Sequence, residues 1–539
     1  MRSIGIALTL AAALAGQPAR SSRPAPPNGQ VDAPSAQQVP AAAEAATPQG
    51  AGQPMVAPSH TPPPPEVLKQ IERDRKSDEK AEALRREAQA HPNEVRYQTE
   101  WINGLLELDR EDEALEVAPT LVEKFPRSAD LLVALGRTDL RDGQFDLAAL
   151  QFQRAIAMDG NSTRAHLLAG KTAMIRGDLK SAEAELRQAI ALDKIDPDSR
   201  STLSVLLERM GRYGEAIEIL SPPGSKPPPE LTGRRALLPQ LATNPPLVVP
   251  RGFATISLPL ILSKKFPPVV QAKIGTALAC YLVIDTSSDE MMITPDAARA
   301  LGLPERGKKT SKDAQGHERV APHYAVLESV SLGDLVVRRV PARVAPGVRY
   351  PDDRIAGTIG REFLRRFRVT LDYQAKTMTL GQSDAPPAAG GAPYYQTSLI
   401  LLDGFRGERP AGKFVLDSSA YTPGVLDARF VSKETGLTMF SEDVSRLNDG
   451  AYLFGFTMPS LDVAGASFSN FPATAVDLRS LSRQIGVNVR GVIGLSYLHL
   501  CRVELDFKNQ RITLTRTDAA KSGAPEAPAA TPAAPEPGS

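Results

Sequence analysis

The sequence is poor in cysteine, has no excess of either charge and lacks a hydrophobic run of transmembrane length. Its two cysteines, Cys280 and Cys501, show neither zinc-site nor Cys-X-X-Cys spacing. Export would permit a disulfide between them, but they do not occupy equivalent positions in the repeats described below, which favours two buried thiols. Lys and Arg total 63 against 62 Asp and Glu, so net charge favours neither nucleic acid nor an anionic membrane as a partner.

The first residues have the pattern of a secretory signal. Arg2 supplies a positive charge, residues 4–14 form a small apolar run, and Ala13 and Ala15 fit the small-residue rule for cleavage before Gly16. The run is too short to span a bilayer, which needs about 20 apolar residues. We therefore predict that residues 1–15 are a signal peptide and that the mature chain is exported, either periplasmic or secreted.

Composition divides the remaining chain into folded and unfolded parts. Residues 16–65 and 517–539 are rich in Ala and Pro and have too little apolar mass to offset the entropy of ordering, so we predict them to be disordered. Linkers are expected at 223–248 and 384–393, where Pro, Ala and Gly cluster. The sequence predicts helices over 66–222 and β structure over 249–383 and 394–516, that is, an α+β multidomain chain.

A 34-residue period runs through the helical region. Two sets of small residues keep this period: Gly143, Gly177 and Gly211, and Ala114, Ala148, Ala182 and Ala216. Small residues are needed where two antiparallel helices touch, and the glycines are placed to end the first helix of each pair. The pattern resembles tetratricopeptide (TPR) repeats, about four of them in an α-solenoid. The resemblance implies a groove for a peptide or protein partner; a spacer or a clamp on the following domain is the alternative.

An acidic motif occurs twice in the β-rich region. Residues 283–288 read Val-Ile-Asp-Thr-Ser-Ser, and residues 415–420 read Val-Leu-Asp-Ser-Ser-Ala. Downstream of each lies a second shared motif, Gly-Thr-Ile-Gly at 357–360 and Gly-Val-Ile-Gly at 491–494, 134 residues apart. The two Asp residues are 132 apart, so both motifs keep nearly one register. This agreement predicts a tandem duplication.

The duplicated pattern resembles the pepsin and retropepsin-like aspartic proteases. Each lobe of that family has a hydrophobic strand, an Asp-Thr/Ser-Gly motif, a flap hairpin and an apolar-apolar-Gly segment. The resemblance covers roughly residues 250–382 and 394–516, with one shared departure: the family's Gly is Ser287 in one copy and Ser419 in the other. It implies two β-rich lobes that share one site, and an endopeptidase that uses neither metal nor cofactor.

Two carboxylates brought together can hydrolyse a peptide bond. Like charges at close range cannot both ionise, so the pair holds one proton: the ionised member activates a water and the protonated member polarises the carbonyl. Asp285 and Asp417 are the predicted catalytic pair. The resemblance implies that Thr286 and Ser418 bond across to the opposite lobe. It also implies that Ser288 and Ala420 support the carboxylates and that Gly360 and Gly494 pack beneath them. Ser287 and Ser419 are supporting candidates that the resemblance does not supply. Candidate flaps surround Gly316 and Gly455.

Two functions stay open on the sequence. Ser287 and Ser419 either crowd the carboxylates or add a hydrogen bond to them. The first hypothesis is an exported aspartic endopeptidase whose TPR array recruits a substrate or partner; the second is an inactive scaffold that binds a peptide or protein. A nearby basic cluster, residues 361–368, is interpreted as a solvated face of a short helix and strand.

Overall fold

A computed structural model describes residues 65–220, 236–263, 266–304, 309–312, 318–320, 323–345, 348–384, 390–420, 424–432, 438–439, 445–446 and 452–517. The predicted signal peptide, the Pro/Ala-rich segment up to residue 64, the linker residues 223–235, the tail from residue 518 and the flap position Gly316 lie outside these residues. In the described part of the chain, no helix combines the length and the apolar character needed to cross a bilayer.

The first described region is a stack of antiparallel helices. A lead-in helix precedes four helix pairs that each repeat the 34-residue unit. In chain order these helices are α1 (Pro65–Ala90), α2 (Val95–Glu107) with α3 (Glu111–Lys124), α4 (Ala129–Arg141) with α5 (Phe145–Met158), α6 (Thr163–Arg176) with α7 (Leu179–Leu192), and α8 (Pro197–Arg209) with α9 (Tyr213–Leu220). The four alanines of the 34-residue period are completely buried. They allow the helices of one unit to approach closely.

The turn inside each helix pair has a left-handed residue at the same position of the repeat. Gly143, Gly177 and Gly211 have φ of 80°, 83° and 76°. Glycine adopts this conformation without the steric cost that a β-carbon brings. The first repeat has Asp109 at this position, with φ of 57°. The predicted helix ends at the glycines are therefore present.

The first β lobe is a closed barrel. After helix α10 (Leu238–Thr243), the elements of this lobe are β1 (Ile256–Pro259), β2 (Val269–Ile274), β3 (Leu278–Ile284), β4 (Met291–Ile293), α11 (Pro295–Ala300), β5 (Lys309–Lys312), β6 (Glu318–Val320), β7 (His323–Leu332), β8 (Leu335–Val344), β9 (Ile355–Ile359), α12 (Arg361–Leu364), β10 (Phe367–Asp372) and β11 (Thr377–Gln382). The barrel strands run in the order β2-β3-β9-β4-β8-β7, and β5 pairs with β6 outside the barrel.

The second lobe repeats this strand order. Its elements are β12 (Ala392–Gln396), β13 (Ile400–Arg406), β14 (Arg409–Leu416), β15 (Gly424–Asp427), α13 (Ala428–Ser432), β16 (Thr438–Met439), β17 (Ser445–Arg446), β18 (Tyr452–Val463), β19 (Ala466–Val476), α14 (Arg479–Ile485), β20 (Val489–Ile493), α15 (Leu495–Leu498), β21 (Cys501–Asp506) and β22 (Arg511–Arg516). The strands run in the order β13-β14-β20-β15-β19-β18, and β18 pairs back with β13.

One sheet joins the two lobes. Strand β10 of the first lobe pairs antiparallel with β21 of the second, with Val369 opposite Leu505. Around this pair the order is β1-β11-β10-β21-β22-β12, so each lobe contributes three strands. Side chains from both lobes enter one hydrophobic core, which includes the buried residues Cys280 and Cys501. As predicted, no disulfide joins these two cysteines.

The repeat array rests edge-on against the lobes. The backbone N–H of Asn488 donates to the carbonyl oxygen of Arg141 at 2.7 Å, and the Arg483 guanidinium lies 3.0 Å from the Asp109 carboxylate. At Gly177, an added β-carbon would collide with Gln510 of the second lobe. The turns inside the repeats therefore form the contact edge. The fold class predicted from the sequence, a helical repeat array followed by two β-rich lobes, is confirmed.

Candidate active site

Two equivalent strands, one in each lobe, end at the two aspartates where the lobes meet. Strand β3 runs into Asp285 and strand β14 into Asp417. The backbone N–H of Asp285 donates to Ile359, and that of Asp417 donates to Ile493, both at 3.1 Å. Each Asp is thus fixed to the strand of the second motif in its own lobe. Asp285 is 8% exposed and Asp417 is 5% exposed, so both carboxyls lie in a desolvated environment.

Each carboxylate accepts three hydrogen bonds on one oxygen. Oδ1 of Asp285 accepts from the backbone N–H of Ser287 at 2.8 Å, the Ser287 hydroxyl at 2.7 Å and the N–H of Ser288 at 3.1 Å. Oδ1 of Asp417 accepts from the N–H of Ser419 at 2.9 Å, its hydroxyl at 2.8 Å and the N–H of Ala420 at 3.0 Å. The serines that replace the family's glycine therefore hydrogen-bond to the carboxylates.

The hydroxyl residues after the two aspartates cross-link the lobes. The Thr286 N–H donates to the Ser418 hydroxyl, and the Ser418 N–H donates to the Thr286 hydroxyl, both at 2.9 Å. Each hydroxyl also donates to the opposite strand, Thr286 to Leu416 at 3.2 Å and Ser418 to Ile284 at 2.8 Å. A hydroxyl is needed here because it accepts one bond and donates another. These four bonds hold the two aspartate loops against each other.

The glycines of the second motif make close backbone contacts beneath the aspartate loops. A β-carbon at Gly360 would collide with the carbonyl oxygen of Glu290, and one at Gly494 would lie 2.9 Å from the carbonyl oxygen of Ala420. Likewise, a β-carbon at Gly357 would collide with strand β4, and one at Gly491 would collide with strand β15. Any larger residue would push the aspartate loops out of place.

Arg361 is a site residue that the sequence interpretation missed. It is 1% exposed, rather than part of a solvated face. Its guanidinium donates to the carbonyl oxygens of Thr286 and Ser398, each at 2.6 Å, and lies 3.3 Å from the Asp289 carboxylate. It thereby connects the first aspartate loop to the start of the second lobe. The second lobe has Leu495 at this position, so the two halves of the site differ in charge.

The site raises the pKa of one of its aspartates. Burial, and then the negative charge of Asp285, raise the pKa of the Asp417 carboxyl to about 7, although hydrogen bonds from Ser419 and Ala420 act in the opposite direction. The Tyr350 hydroxyl lies 2.8 Å from the Thr358 hydroxyl. Burial raises the pKa of Tyr350 to about 12, and the charge of Asp285 adds to this effect. Near neutral pH, the pair can therefore hold one proton.

The two candidate flap positions have different outcomes. Gly455 lies inside strand β18, opposite Thr474 of β19, and not in a turn. Gly316 lies outside the described residues, but the strands on either side of it, β5 and β6, pair antiparallel as the arms of a hairpin. The flap at Gly316 therefore stays a prediction.

Comparisons with known proteins match two separate parts of the chain. Residues 270–363 match a family model described as aspartyl protease, and residues 99–163 and 133–200 match a model described as tetratricopeptide repeat. The first match contains Asp285 and its downstream Gly-Thr-Ile-Gly motif. None of the curated proteins matches the chain.

Several solved structures of TPR proteins are similar to part of the chain. MamA is 20% identical with a TM-score of 0.24, over 28% of this chain and 88% of that one. A thermophilic TPR protein of Thermus thermophilus is 25% identical with a TM-score of 0.25, over 33% and 97%. The first TPR of Spaghetti (RPAP3), bound to an HSP90 peptide, is 17% identical with a TM-score of 0.21, over 21% and 90%. The chain thus contains TPR repeats and an aspartyl protease-like segment.

Proposed function

We propose that the chain is an aspartic-type endopeptidase whose catalytic pair is Asp285 and Asp417. The observation that carries this proposal is the pair of buried carboxyls on two loops that hydrogen-bond to each other across the lobes. Burial and like charge favour a single shared proton. Two such groups, held in one orientation by backbone donors, are suited to acid–base catalysis on a peptide carbonyl.

The raised pKa of Asp417 suggests which carboxyl performs which step, so Asp417 is assigned as the member that holds the shared proton. A water that attacks the peptide carbonyl carbon gives one proton to Asp285, while Asp417 gives its proton to the carbonyl oxygen. When the tetrahedral intermediate collapses, the C–N bond breaks, the amine nitrogen takes the proton from Asp285, and one hydroxyl of the intermediate returns its proton to Asp417 as the carbonyl re-forms. The pair returns to its shared single proton, and no covalent enzyme intermediate forms.

The other predicted site residues are proposed as positioning groups. Thr286 and Ser418 keep the two carboxyls at a fixed separation through their crossed hydrogen bonds. Ser287, Ser288, Ser419 and Ala420 direct one oxygen of each carboxylate, and Gly360 and Gly494 provide the space below the loops. Each acts on the reacting groups only through an aspartate.

We also propose the wider organisation of the protein. The first 15 residues act as a signal peptide for export, and the two lobes derive from one duplicated unit, as the equal strand orders of the two barrels suggest. The repeat array serves as the site for a protein or peptide partner. Its contact edge faces the lobes, so a partner is expected on the remaining surface of the helices.

A non-catalytic binding scaffold is the second candidate function. The observation that favours it is the hydroxyl of Ser287 and Ser419, because each stabilises the ionised form of its carboxylate. If both carboxyls were ionised, neither could polarise a carbonyl. The lobes would then bind a peptide between them without cleaving it.

The experiment that separates the two is digestion of a peptide library from about pH 3 to about pH 8, with and without a statine-type inhibitor. Cleavage that statine blocks supports the peptidase. Intact peptides throughout this range, from protein that remains folded, would leave the scaffold as the function.

A further inference from the structure

Positive charge collects where the last repeat of the array meets the first lobe. Tyr213 of α9 packs in one apolar cluster with Val326 of strand β7, so these two parts of the chain are in contact. Four arginines belong to this junction: Arg209 at the end of α8, and Arg361, Arg365 and Arg366 in and after α12. The array thus supplies one of the four charges, and the lobe supplies the other three.

The four charges act on one another. Burial lowers the pKa of the Arg209 guanidinium, and the charge of Asp289 opposes this shift. The positive charges of Arg365 and Arg361 lower the pKa of Arg209 further. Burial also lowers the pKa of Arg366, and the charge of Arg365 adds to that shift. The folded chain therefore holds like charges together in a partly desolvated junction.

Carboxylates of the described residues balance only part of this charge. Asp289 lies 3.3 Å from the Arg361 guanidinium, and its side chain is half exposed. Glu362 lies 3.7 Å from Arg365. In the described ion pairs of the junction, four positive charges thus meet two negative ones. Buried charges are normally paired, so the remaining positive charge favours an anion at this place.

Two buried donors in the junction have no hydrogen-bond partner among the described residues. The Tyr394 side chain of β12 is 1% exposed, and its hydroxyl is one of them. The other is the Nε atom of Arg361, which is also 1% exposed. The terminal nitrogens of Arg361 donate to the carbonyl oxygens of Thr286 and Ser398, so only Nε is left. A buried donor without an acceptor is unfavourable, which again indicates a missing acceptor.

The Tyr394 hydroxyl lies in the positive field of the arginines. Burial raises the pKa of this hydroxyl. Three positive charges oppose the shift, those of Arg209, Arg361 and Arg365. The charge of Asp506 acts in the other direction, but its carboxylate pairs with Arg368 at 3.1 Å. An O–H donor among guanidinium groups is suited to an anionic oxygen.

We propose that Tyr394, Arg361 and Arg209 form a binding site for one small oxyanion, a carboxylate or a phosphate group, between the array and the first lobe. The Tyr394 hydroxyl and the Nε atom of Arg361 donate to the anion from the lobes, and the Arg209 guanidinium donates from the array. Guanidinium groups suit oxyanions because their N–H groups match the spacing of two oxygens. The second lobe has Leu495 in place of Arg361, so it lacks this donor.

The bound anion fastens the array to the first aspartate loop. Arg361 holds that loop through the carbonyl oxygen of Thr286. An anion between Arg361 and Arg209 replaces the repulsion of these two charges by attraction to a common partner. The site is independent of any reaction that the aspartates perform.

Titration calorimetry of the full chain tests whether the site exists. Sodium phosphate and sodium acetate are titrated separately, at one ionic strength set with sodium chloride. At least one of them should bind with a dissociation constant below about 5 mM. Binding of phosphate alone identifies a phosphate group as the ligand, binding of acetate alone a carboxylate, and binding of both a site for either group. Weaker binding of both anions, or none, overturns the proposal.

Two variants distinguish this site from a general attraction of anions. Arg209→Gln and Tyr394→Phe each remove one donor, so each should weaken the bound anion about tenfold or more. Arg164→Gln, at an exposed arginine of α6, removes the same charge elsewhere in the array and should leave binding unchanged. Unchanged binding in either site variant, or equal weakening by Arg164→Gln, contradicts the proposal.

Thermal unfolding gives a second readout with Tyr394→Phe, which keeps the shape of the side chain. Without the anion, the hydroxyl has no acceptor, so its removal should leave the Tm equal or raise it. With saturating phosphate or acetate, whichever binds, the Tm of wild type should gain at least about 2 °C more than that of the variant. An equal gain in both proteins would show that the anion does not contact Tyr394.

Discussion

The proton on the Asp417 carboxyl depends on burial, on the charge of Asp285 and on a few hydrogen bonds. At Asp417, burial and the Asp285 charge favour the protonated form, while donors from Ser419 and Ala420 favour the ionised form. The serine hydroxyl is the donor that the resembled family lacks. Its effect is therefore a tuning of the pair rather than a steric obstruction.

The first prediction concerns this hydroxyl. Ser419→Gly removes one donor to the Asp417 carboxylate but keeps the backbone N–H, so the pKa of Asp417 should rise further. The alkaline limb of the pH–rate profile, or of statine binding, should move upward by about 0.5–1 pH unit. Ser432→Gly, at an exposed serine of α13, is the control. An unchanged limb would show that the hydroxyl does not act on the proton.

The second prediction concerns the bonds that cross between the lobes. Thr286→Val keeps the shape of the side chain but leaves the buried N–H of Ser418 without its acceptor. The free energy of unfolding of the paired lobes should fall by about 2–4 kcal/mol. Chemical denaturation followed by tyrosine fluorescence measures this. A loss below about 0.5 kcal/mol would mean that the crossed bonds do not hold the lobes together.

The sequence predicts an aspartate pair because two motifs recur in register, and the structure holds the two aspartate loops against each other. Arg361 could not be predicted, because an Arg in a charged segment is normally exposed, and only the folded lobes show that it donates to Thr286 and Ser398. The sequence could not decide whether Ser287 crowds Asp285 or donates a hydrogen bond to it. The answer depends on the rotamer that Ser287 adopts inside the folded loop.

At the scale of elements, helix α4 contains an isolated buried carboxyl. Asp139 is 6% exposed, and its Oδ2 atom has no hydrogen-bond partner. Burial, and then the charge of Asp142, raise the pKa of Asp139 to about 6. Since the folded-state pKa is above the unfolded value, stability is lost as the pH rises from about 4 to about 6.

The third prediction follows from the direction of the pKa shift at Asp139. Asp139→Asn should raise the stability of the array by about 1–3 kcal/mol at about pH 8 and by nothing below about pH 4. Helical circular dichroism of the full chain during thermal unfolding measures the change. Asp130→Asn, at an exposed carboxyl of the same helix, should change it by less than about 0.5 kcal/mol. Destabilisation by Asp139→Asn at the higher pH would contradict the assignment.

Much of the secondary structure could be predicted from the sequence. The 34-residue period predicted the turns at Gly143, Gly177 and Gly211, because only a left-handed residue ends these helices so abruptly. Asp109, which occupies the same position in the first repeat, gave no such signal. That these turns also form the edge against the lobes could not be predicted, since it depends on contacts between residues hundreds of positions apart.

At the scale of the whole molecule, charges of opposite sign meet between the array and the second lobe. Asp109, Glu111 and Asp142 of the array face Arg483, Arg429 and Arg490 of the lobe at 3.0, 3.5 and 3.5 Å. The two alternatives left by the sequence, a clamp on the lobes and a partner groove, are compatible with this arrangement. The clamp uses the edge of the array and leaves the rest of its surface free.

The fourth prediction tests whether one lobe is sufficient. A chain that ends after Ser383 lacks Asp417 and exposes strand β10, which pairs with β21 in the whole protein. It should show no peptide hydrolysis and should self-associate through that open edge. Size-exclusion chromatography with a parallel digestion assay measures both. Full activity from a monomeric fragment would rule out a shared site.

The central claim is that Asp285 and Asp417 act together as one acid–base unit. The most direct measurement is the kcat/KM for a library-derived peptide with wild type, Asp285→Asn, Asp417→Asn and the double variant, beside Asp372→Asn, whose carboxylate caps a turn at Ala375. Each single dyad variant should lose at least about 10³-fold, the double variant should lose little more, and Asp372→Asn should keep wild-type activity. Retained hydrolysis in either single dyad variant would contradict the account.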